Sequence, residues 1–291
     1  AFFLKGCPLS CVWCHNPEGF RPAPELVQRP DRCLGSDACG ACLSVCPSRA
    51  AAPAKSSEAT RSSGLCLVCG ACAAVCPTQA RQLVGFRLTA DQALAAALED
   101  EPFYDESGGG VTFSGGEPLF QPDFLLECLA AFKARGIHTA VDTSGFAPPE
   151  MMEKAAERAD LFLFDIKLMD SRAHERWTGV PNERILKNLS LLCERGSSIW
   201  VRIPLIPGVN DGSDNLEAAA DFLKELDFAK NPEDGRYRSV QILPYHDSAK
   251  GKYALSGRPY DFMADASTAR LTASQACEIF ERRKIPAKVG G

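Results

Sequence analysis

Cysteine is concentrated near one end of this chain. Eleven of the fourteen cysteines lie within the first 76 of 291 residues, in three groups whose members are mostly two or three residues apart. Disulfide frameworks are typical of short secreted chains, whereas this spacing is typical of metal ligands in a reducing compartment. We therefore expect this part of the chain to fold around metal. We interpret Cys128, Cys193 and Cys277 as packing residues of helices.

The second and third groups form an internal repeat, in which "CGACLSVCPSRA" (39–50) recurs as "CGACAAVCPTQA" (69–80). The third group reads C-x2-C-x2-C-x3-C-P, the bacterial ferredoxin pattern for [4Fe–4S] clusters, in which the fourth cysteine of each run serves the other cluster. The second group has five residues after its first cysteine instead of two. Crossed ligation predicts one cluster on Cys33, Cys39, Cys42 and Cys76, and another on Cys66, Cys69, Cys72 and Cys46. A pair of zinc sites is the alternative.

Residues 21–84, which contain this repeat, are rich in Pro, Cys, Ser and Ala and show little periodic hydrophobicity. Because their apolar content is too thin for an independent core, we interpret them as an inserted domain that needs its metal to fold. Residues 1–20 would then hold the first strand and the first cysteine group, and residues 85–291 the remainder of the main domain. All eight thiolates of the repeat are used as ligands, so the insert is expected to move electrons and not to bind substrate.

The main domain alternates short β-rich runs with amphipathic helical stretches such as "PDFLLECLAAFKARG" (122–136) and "SDNLEAAADFLKELDF" (213–228). The predicted strands are "AFFLK" (1–5), "GVTFSGG" (110–116), "IHTAVDTSG" (137–145), "LFLFDIK" (161–167), "SIWVRIPLI" (198–206), "SVQILPY" (239–245) and "IPAKVGG" (285–291). This alternation predicts an α/β fold with a parallel sheet. Sites in such sheets gather at the carboxyl ends of the strands.

The first cysteine group, "GCPLSCVWCHNPEG" (6–19), directly follows the first strand. Cys7, Cys11 and Cys14 supply three thiolates, whereas a [4Fe–4S] cluster has four irons to ligate. Three protein ligands and one vacancy are typical of a catalytic metal site. We therefore expect one iron of this cluster to be open to a substrate or cofactor.

Polar residues follow the ends of the later strands. In "SGGEP" (114–118), Gly115 and Gly116 allow backbone to approach a ligand closely, and Glu117 could accept a hydrogen bond from an ammonium group; a plain β-turn is the alternative. The other candidates are Asp142 in "VDTSG", Asp165 and Lys167 in "FDIK", Arg202 in "VRIPLIPGVND" and His246 in "LPYH". A structural ion pair is the alternative for the Asp/Lys pair, and a core or surface role for the last two.

The first cysteine group, with an aromatic residue (Trp13) before its last cysteine, resembles the radical S-adenosylmethionine (SAM) superfamily. Further motifs narrow the resemblance: "FLKGCPLSCVWCHNPEG", the two-cluster insert, "SGGGVTFSGGEPL", "FDIKLMD", "RIPLIPGVND" and the terminal "KVGG". Together they resemble the glycyl radical enzyme activating enzymes, in the branch with an inserted two-[4Fe–4S] ferredoxin-like domain. One departure is Ala249, which stands where the family's His-x2-Gly-x2-Lys-Tyr element has glycine.

The resemblance implies a partial (β/α)6 barrel, open along one side, with three [4Fe–4S] clusters and SAM. Cys7, Cys11 and Cys14 would hold the catalytic cluster. The resemblance implies SAM-binding roles for Trp13, Gly115, Gly116, Glu117, Asp142, Asp165, Lys167, Arg202 and His246. Lys167 would face the ligand carboxylate, and the aspartates would orient the ribose or hold a monovalent cation near that carboxylate.

The implied partner is a glycyl radical enzyme, whose backbone glycine loses a hydrogen, and the implied electron donor is a flavodoxin or ferredoxin. The net charge of −5 gives no reason to expect nucleic acid, and no apolar run approaches the roughly 18–20 residues that cross a membrane. We expect a cytoplasmic protein working in anaerobic conditions. Because the opening "AFFLKG" resembles a strand entered part-way, we also expect a natural segment before Ala1.

Two other functions would fit part of the sequence. A radical SAM enzyme acting on a small molecule or peptide would use the insert for auxiliary clusters, but should show extra polar groups closing its cavity. A pure electron carrier explains residues 33–76 but leaves the first cysteine group and "SGGEP" without a purpose. Formation of 5′-deoxyadenosine from SAM would exclude the carrier.

Overall fold

The computed structural model describes residues 1–52, 65–228 and 237–290. Its strands are β1 (Phe2–Leu4), β2 (Glu25–Gln28), β3 (Arg81–Val84), β4 (Gly110–Gly115), β5 (His138–Thr143), β6 (Leu161–Asp165), β7 (Ile199–Leu205), β8 (Arg238–Pro244) and β9 (Ala287–Val289). Its α-helices are α1 (Ala41–Ser44), α2 (Ala71–Ala74), α3 (Ala90–Leu98), α4 (Glu101–Ser107), α5 (Pro122–Ala134), α6 (Pro149–Ala156), α7 (Ser171–Thr178), α8 (Glu183–Glu194), α9 (Ser213–Glu225), α10 (Lys250–Ser256) and α11 (Ala266–Glu281).

Seven of these strands form one parallel sheet in the order β1-β4-β5-β6-β7-β8-β9. The α/β class and the parallel sheet predicted from the sequence are confirmed, and each predicted strand contains or overlaps an observed one. Gly291, the last residue of the predicted final strand, lies outside the described residues. Within the described chain, β1 and β9 each pair with one neighbour, so the sheet is open between them.

The two faces of the sheet differ in polarity because successive side chains of a strand point to opposite sides. Along β7, Ile199, Val201, Ile203 and Leu205 are buried, whereas the residues between them, including Arg202, are half-buried. The buried face packs against α5, α6, α8, α9 and α11 in one large apolar core. Cys128 and Cys277 are buried in that core and Cys193 packs partly buried against it, which confirms their interpretation as packing residues.

Helix α7 supports the segment that follows β1. Asp170 caps its first turn by accepting a hydrogen bond from the Ala173 backbone N–H at 2.7 Å, and Gly179 ends it in the left-handed conformation (φ 83°). The carbonyl of Thr178, at its last turn, accepts from the Ser10 backbone N–H at 2.7 Å. A side chain on Gly179 would collide with the Ser10 hydroxyl, so glycine allows this close approach.

Strands β2 and β3 form a separate antiparallel pair, in which Glu25 faces Val84 and Gln28 faces Arg81. The sequence analysis did not predict this pair, nor helices α3 and α4. Between the two strands, the sequence repeat is also a repeat of backbone conformation. Helices α1 and α2 each follow a left-handed glycine, Gly40 or Gly70.

None of the helices in the described ranges combines the length and the apolar character that a membrane span requires.

Candidate active site

The cysteine loop (residues 6–19) follows β1 at the carboxyl end of the parallel sheet. Its ends are joined by a hydrogen bond from the Gly6 backbone N–H to the Gly19 carbonyl at 2.8 Å, and the Cys14 N–H donates to the Cys11 carbonyl at 3.1 Å. Cys11 is buried, and Cys7 and Cys14 are half-buried. The loop therefore holds its three thiols in a fixed, largely water-excluded arrangement.

None of the three thiols forms a disulfide, and Lys167 acts electrostatically on all three. Burial raises the pKa of Cys7 to about 11 and that of Cys11 to about 12, and it raises the pKa of Cys14 as well. Lys167 opposes the rise at each of the three. Because a buried thiol ionises only beside compensating positive charge, this donor set fits metal ligation.

In the described part of the chain, no three His, Cys, Asp or Glu side chains are grouped so that they could hold a single metal ion. A four-iron cube makes a different demand, because each thiolate ligates its own iron. The cysteine loop fits a cluster in the chemistry of its donors and in their burial.

The Gly-Gly-Glu segment at the end of β4 lies against the cysteine loop. The Gly116 N–H donates to the Leu4 carbonyl and the Glu117 N–H to the Gly6 carbonyl, both at 2.8 Å. A Cβ on Gly116 would lie 2.3 Å from the Gly6 oxygen and 2.6 Å from the Gly19 oxygen. The glycines were predicted to allow a close approach to a ligand; in the structure they allow a close approach to neighbouring backbone.

The side chain of Glu117 has a different task from the one that its motif suggested. It is fully buried, and one carboxylate oxygen accepts from the Leu119 N–H at 3.1 Å and the Thr143 hydroxyl at 2.7 Å. The other oxygen accepts from the N–H and hydroxyl of Ser144, at 2.8 and 2.6 Å. Four bonds fill the acceptor positions of a carboxylate, so this group joins the β4 and β5 ends and is not free to bind an ammonium group.

Four charged side chains form a layer on the polar face of the sheet; we call Asp142, Asp165, Lys167 and Arg202 the charged layer. Lys167 Nζ lies 2.9 Å from Asp165 Oδ2, and Arg202 Nε lies 3.0 Å from Asp165 Oδ1. The Arg202 guanidinium also bonds Asp142, which accepts from the Ser114 hydroxyl at 2.7 Å. The strand-end residues predicted from the sequence are thus in direct contact, and Arg202 reaches across β6 to β5.

The charges of this layer balance, and their pKa values reflect the pairing. Burial favours a neutral Asp165, but Arg202 and Lys167 lower its pKa below the ordinary value. Burial outweighs the same arginine at Asp142 and raises its pKa. Against the effect of burial, Asp165 and Cys11 raise the pKa of Lys167, and Asp165 and Asp142 raise the pKa of Arg202. Lys167 is therefore a buried cation that pairs with Asp165 and acts on the pKa of each of the three thiols.

Trp13 and His246 differ in how accessible they are. The Trp13 ring is 4% exposed and packs in an apolar cluster with Phe262, Leu168 and Tyr245. His246 is exposed; it stacks on His15 with ring centroids 4.1 Å apart, and His15 Nε2 lies 3.0 Å from its carbonyl. Ala249 has an ordinary helical conformation (φ −66°), so the backbone after His246 does not require glycine there.

The repeat encloses two cavities, and each is bordered by four cysteines. The first cavity contains about 420 Å³ of space free of protein atoms and is bordered by Cys33, Cys39, Cys42 and Cys76. The second contains about 300 Å³ and is bordered by Cys46, Cys66, Cys69 and Cys72. These are the two sets of cysteines that crossed ligation predicted to share a cluster. Three cysteines of each set come from one half of the repeat and the fourth from the other half.

Comparison with known proteins finds a superfamily and several relatives. The family model of the Radical SAM superfamily matches residues 74–223. The choline trimethylamine-lyase activating enzyme of Oleidesulfovibrio alaskensis is 41% identical over 279 residues, which cover 94% of this chain and 87% of that protein. The trans-4-hydroxy-L-proline dehydratase activating enzyme of Clostridioides difficile is 39% identical over 99% of this chain and 92% of its own length.

This chain belongs to the radical SAM activating enzymes of glycyl radical enzymes.

The structure of this activating enzyme agrees with a solved relative. A domain of the pyruvate-formate lyase-activating enzyme from Bacteroides vulgatus superposes with a TM-score of 0.51 at 36% identity, covering 63% of this chain and 99% of that one. A 4Fe–4S binding domain model matches residues 60–82, the second half of the cysteine repeat. This match supports iron–sulfur ligation by the second half of the repeat.

Three residues that sequence reasoning did not select complete the site of the activating enzyme. Ser114 binds Asp142, and Thr143 and Ser144 bind Glu117. All three lie in the stretches already chosen, "SGGEP" and "VDTSG", beside the selected acidic residues. Small hydroxyl residues next to a strand-end carboxylate were therefore the available signal.

Proposed function

We propose that this activating enzyme cleaves SAM reductively and removes one hydrogen from a backbone glycine of a partner glycyl radical enzyme. Cleavage would release methionine from SAM, and the hydrogen would pass to the 5′-deoxyadenosyl group, giving 5′-deoxyadenosine and leaving the unpaired electron on the glycine α-carbon. The observation that carries this proposal is the set of three free thiols beside Lys167, in a chain 41% identical to an activating enzyme over 94% of its length.

Cys7, Cys11 and Cys14 are the proposed ligands of the catalytic [4Fe–4S] cluster. When bound there, a cluster with one open iron supplies the single electron that splits SAM. Lys167 is the proposed partner of the SAM carboxylate, because it is a buried cation that faces the thiols. Asp142, Asp165 and Arg202 would hold Lys167 in place and line the site with Gly115, Gly116 and His246, and Trp13 would contribute backbone only. A monovalent cation near the SAM carboxylate is also proposed, and Asp142 and Asp165 would hold it or orient the ribose.

The open side of the sheet, between β1 and β9, is the proposed entrance for the partner's glycine loop. A primary carbon radical attacks any nearby C–H bond, so the site must exclude water and stray side chains while it forms. A sheet that the partner itself closes would meet this requirement. The partner's loop would also bring the glycine α-carbon within reach of the radical.

Residues 21–84 are the proposed inserted domain, between the first strand with its cysteine loop (1–20) and the remainder of the barrel (85–291). The two four-cysteine cavities support one [4Fe–4S] cluster each, which makes three clusters in the chain. The insert would pass electrons from a flavodoxin or ferredoxin to the catalytic cluster. We propose that the enzyme works in the cytoplasm under anaerobic conditions.

The test is electron paramagnetic resonance (EPR) of the partner. The reconstituted enzyme is reduced anaerobically and then incubated with SAM and a glycyl radical enzyme from the same genome. We expect a doublet, because the spin on the glycine α-carbon couples to its one remaining hydrogen. The Cys11→Ala variant should give neither doublet nor 5′-deoxyadenosine, and a partner with alanine at the target glycine should give no doublet. Formation of 5′-deoxyadenosine with turnover of a small molecule but no protein radical would establish the alternative enzyme instead.

A further inference from the structure

Arg81 is a buried cation placed between the two cavities of the insert. Its side chain is 2% exposed, and it borders the first cavity together with Cys33, Cys39 and Cys76. Its Nη1 lies 4.0 Å from the sulfur of Cys72, which borders the second cavity, and its Nη2 donates to the Ala52 carbonyl. One guanidinium therefore contacts both halves of the repeat.

The positive charge of Arg81 has no counterpart at the equivalent position of the first half of the cysteine repeat. Arg81 directly follows the second half (69–80), and the residue that directly follows the first half (39–50) is Ala51. The backbone itself is symmetric at this place, since Arg49 and its counterpart Gln79 both have φ 54°. Cys72 therefore receives an N–H···S hydrogen bond from a position whose counterpart beside Cys42 is alanine.

We propose that Arg81 makes the two insert clusters unequal by raising the reduction potential of the one held by Cys46, Cys66, Cys69 and Cys72. This inference rests on the proposed function, in which each cavity holds a [4Fe–4S] cluster. Reduction adds one electron to the cluster, taken from an external one-electron reductant, and so adds one negative charge. A guanidinium that donates to a ligating sulfur stabilises the more negative state, and the sulfur that accepts from Arg81 Nη1 is that of Cys72, in the second set.

The second cavity is connected to the cysteine loop through strand β2. It is bordered by Leu26, the neighbour of Glu25, whose carboxylate bonds both Lys5 next to the loop and Arg258. Arg81 lies opposite Gln28 at the far end of the β2–β3 pair. At equilibrium, an electron that enters the insert therefore resides at the cluster of the second cavity, which these contacts join to the cysteine loop.

The experiment is an EPR-monitored redox titration of the full reconstituted chain, with dithionite as the reductant. In Arg81→Gln we expect the higher of the two insert potentials to fall by at least about 59 mV, a tenfold change in the one-electron equilibrium constant. The lower potential should move less, so the gap between them narrows. Arg81→Lys keeps the positive charge and should retain most of the gap.

Arg49→Gln is the matched control. It removes an exposed arginine from the same repeat and installs the residue found at the equivalent position 79, where the backbone conformation is the same. Both insert potentials should stay unchanged in this variant. A shift as large as that of Arg81→Gln would mean that net charge, and not the placement of Arg81, sets the potentials.

Iron content separates the possible failures. A wild-type chain that saturates near four irons overturns the proposed two-cluster insert and this inference with it. A full complement of iron with unchanged potentials in Arg81→Gln, or with an equal fall of both, overturns the inference alone. If Arg81→Gln loses iron, Ala51→Arg decides: it should raise the lower potential and narrow the gap, and an unchanged gap contradicts the proposal.

Discussion

Among single residues, Glu117 shows how a motif can be right while the assigned task is wrong. Its carboxylate lies at the carboxyl end of the parallel sheet, as the sequence predicted, but it accepts four hydrogen bonds from the protein. Burial raises its pKa, and the bonds from Ser144 and Thr143 oppose that rise. The group therefore serves to fix the ends of β4 and β5 relative to each other.

Glu117→Gln should lower the free energy of unfolding by about 1–3 kcal/mol, because the amide NH2 group of glutamine would face N–H and O–H groups that now donate to the carboxylate. Anaerobic urea denaturation measures this loss. The exposed Glu127→Gln is the control and should stay within about 0.5 kcal/mol of wild type. Unchanged stability with weakened SAM binding would restore the ligand-binding role and contradict the structure.

His174 makes the support of the cysteine loop sensitive to pH. It lies in α7, is 1% exposed, and its Nδ1 donates to the Val180 carbonyl at 2.6 Å. Burial lowers its pKa, so the folded chain keeps the ring neutral where the unfolded chain already binds a proton. Its contribution to stability is present above the unfolded value of about 6.5 and is lost as the pH falls through the lower folded pKa.

We expect wild-type stability to fall between about pH 7 and pH 5.5, and His174→Gln, which removes this titration, to show a flatter profile. Urea denaturation across this range gives both curves. His138→Gln, at an exposed histidine, should keep the wild-type slope. If His174→Gln falls as steeply as wild type, other groups cause the pH dependence.

At the scale of elements, backbone hydrogen bonds join β1, the cysteine loop and the end of β4, and the Asn16 side chain adds a bond to the Gly115 carbonyl. Gly116 lies between the carbonyls of Gly6 and Gly19 with no room for a side chain. Gly116→Ala should therefore cost about 1–3 kcal/mol of stability and displace the cysteine loop. EPR of the reduced enzyme measures the displacement. SAM should change the signal of the wild-type catalytic cluster and should leave the signal of the variant unchanged.

Gly251→Ala is the matched control for this prediction. Gly251 lies in the exposed helix α10, and a Cβ there meets nothing within 4 Å. Alanine should raise the free energy of unfolding by about 0.5–1 kcal/mol, since it favours helix over the unfolded chain. Equal effects of the two substitutions would mean that the contacts of Gly116 are not what makes it necessary.

Local pattern was sufficient to predict the elements of the main sheet and not those that close the insert. Alternating or continuous apolar runs bounded by turn residues identified β4 to β8, because burial on the helix side requires that pattern. Strands β2 and β3 are four residues long, and their partners are more than fifty residues apart in the chain. Nothing in "ELVQ" or "RQLV" specifies that pairing, which depends on the folded repeat between them.

For the whole molecule, the number of irons tests how the domains are assigned. Three four-iron cubes would give about 12 irons per chain after anaerobic reconstitution. Cys11→Ala should lose about four of them and keep the insert clusters. Iron and sulfide analysis measures both values, and saturation of wild type near four would show that the insert is not a two-cluster domain.

The parts of the candidate site that depend on the spacing of residues in the sequence could be predicted. The contacts between residues of different strands could not, because they depend on the folded sheet. The cysteine sets followed from C-x2-C and C-x3-C intervals, which ligation chemistry imposes directly. The contact between Arg202 and Asp142 depends on two strands that are not neighbours in the sheet. Likewise, the donors that saturate Glu117 belong to the end of β5, so its role could be assigned only from the folded sheet.

The chain leaves the barrel at β2 and returns to it at β3 through two points that lie side by side, since Glu25 and Val84 are paired across adjacent strands. Neighbouring strands are only about 5 Å apart, so a barrel without the intervening residues could join its chain there with a short turn. The proposed insert could therefore be gained, lost or exchanged in a single recombination event, which would leave the order and direction of the strands in the main sheet unchanged.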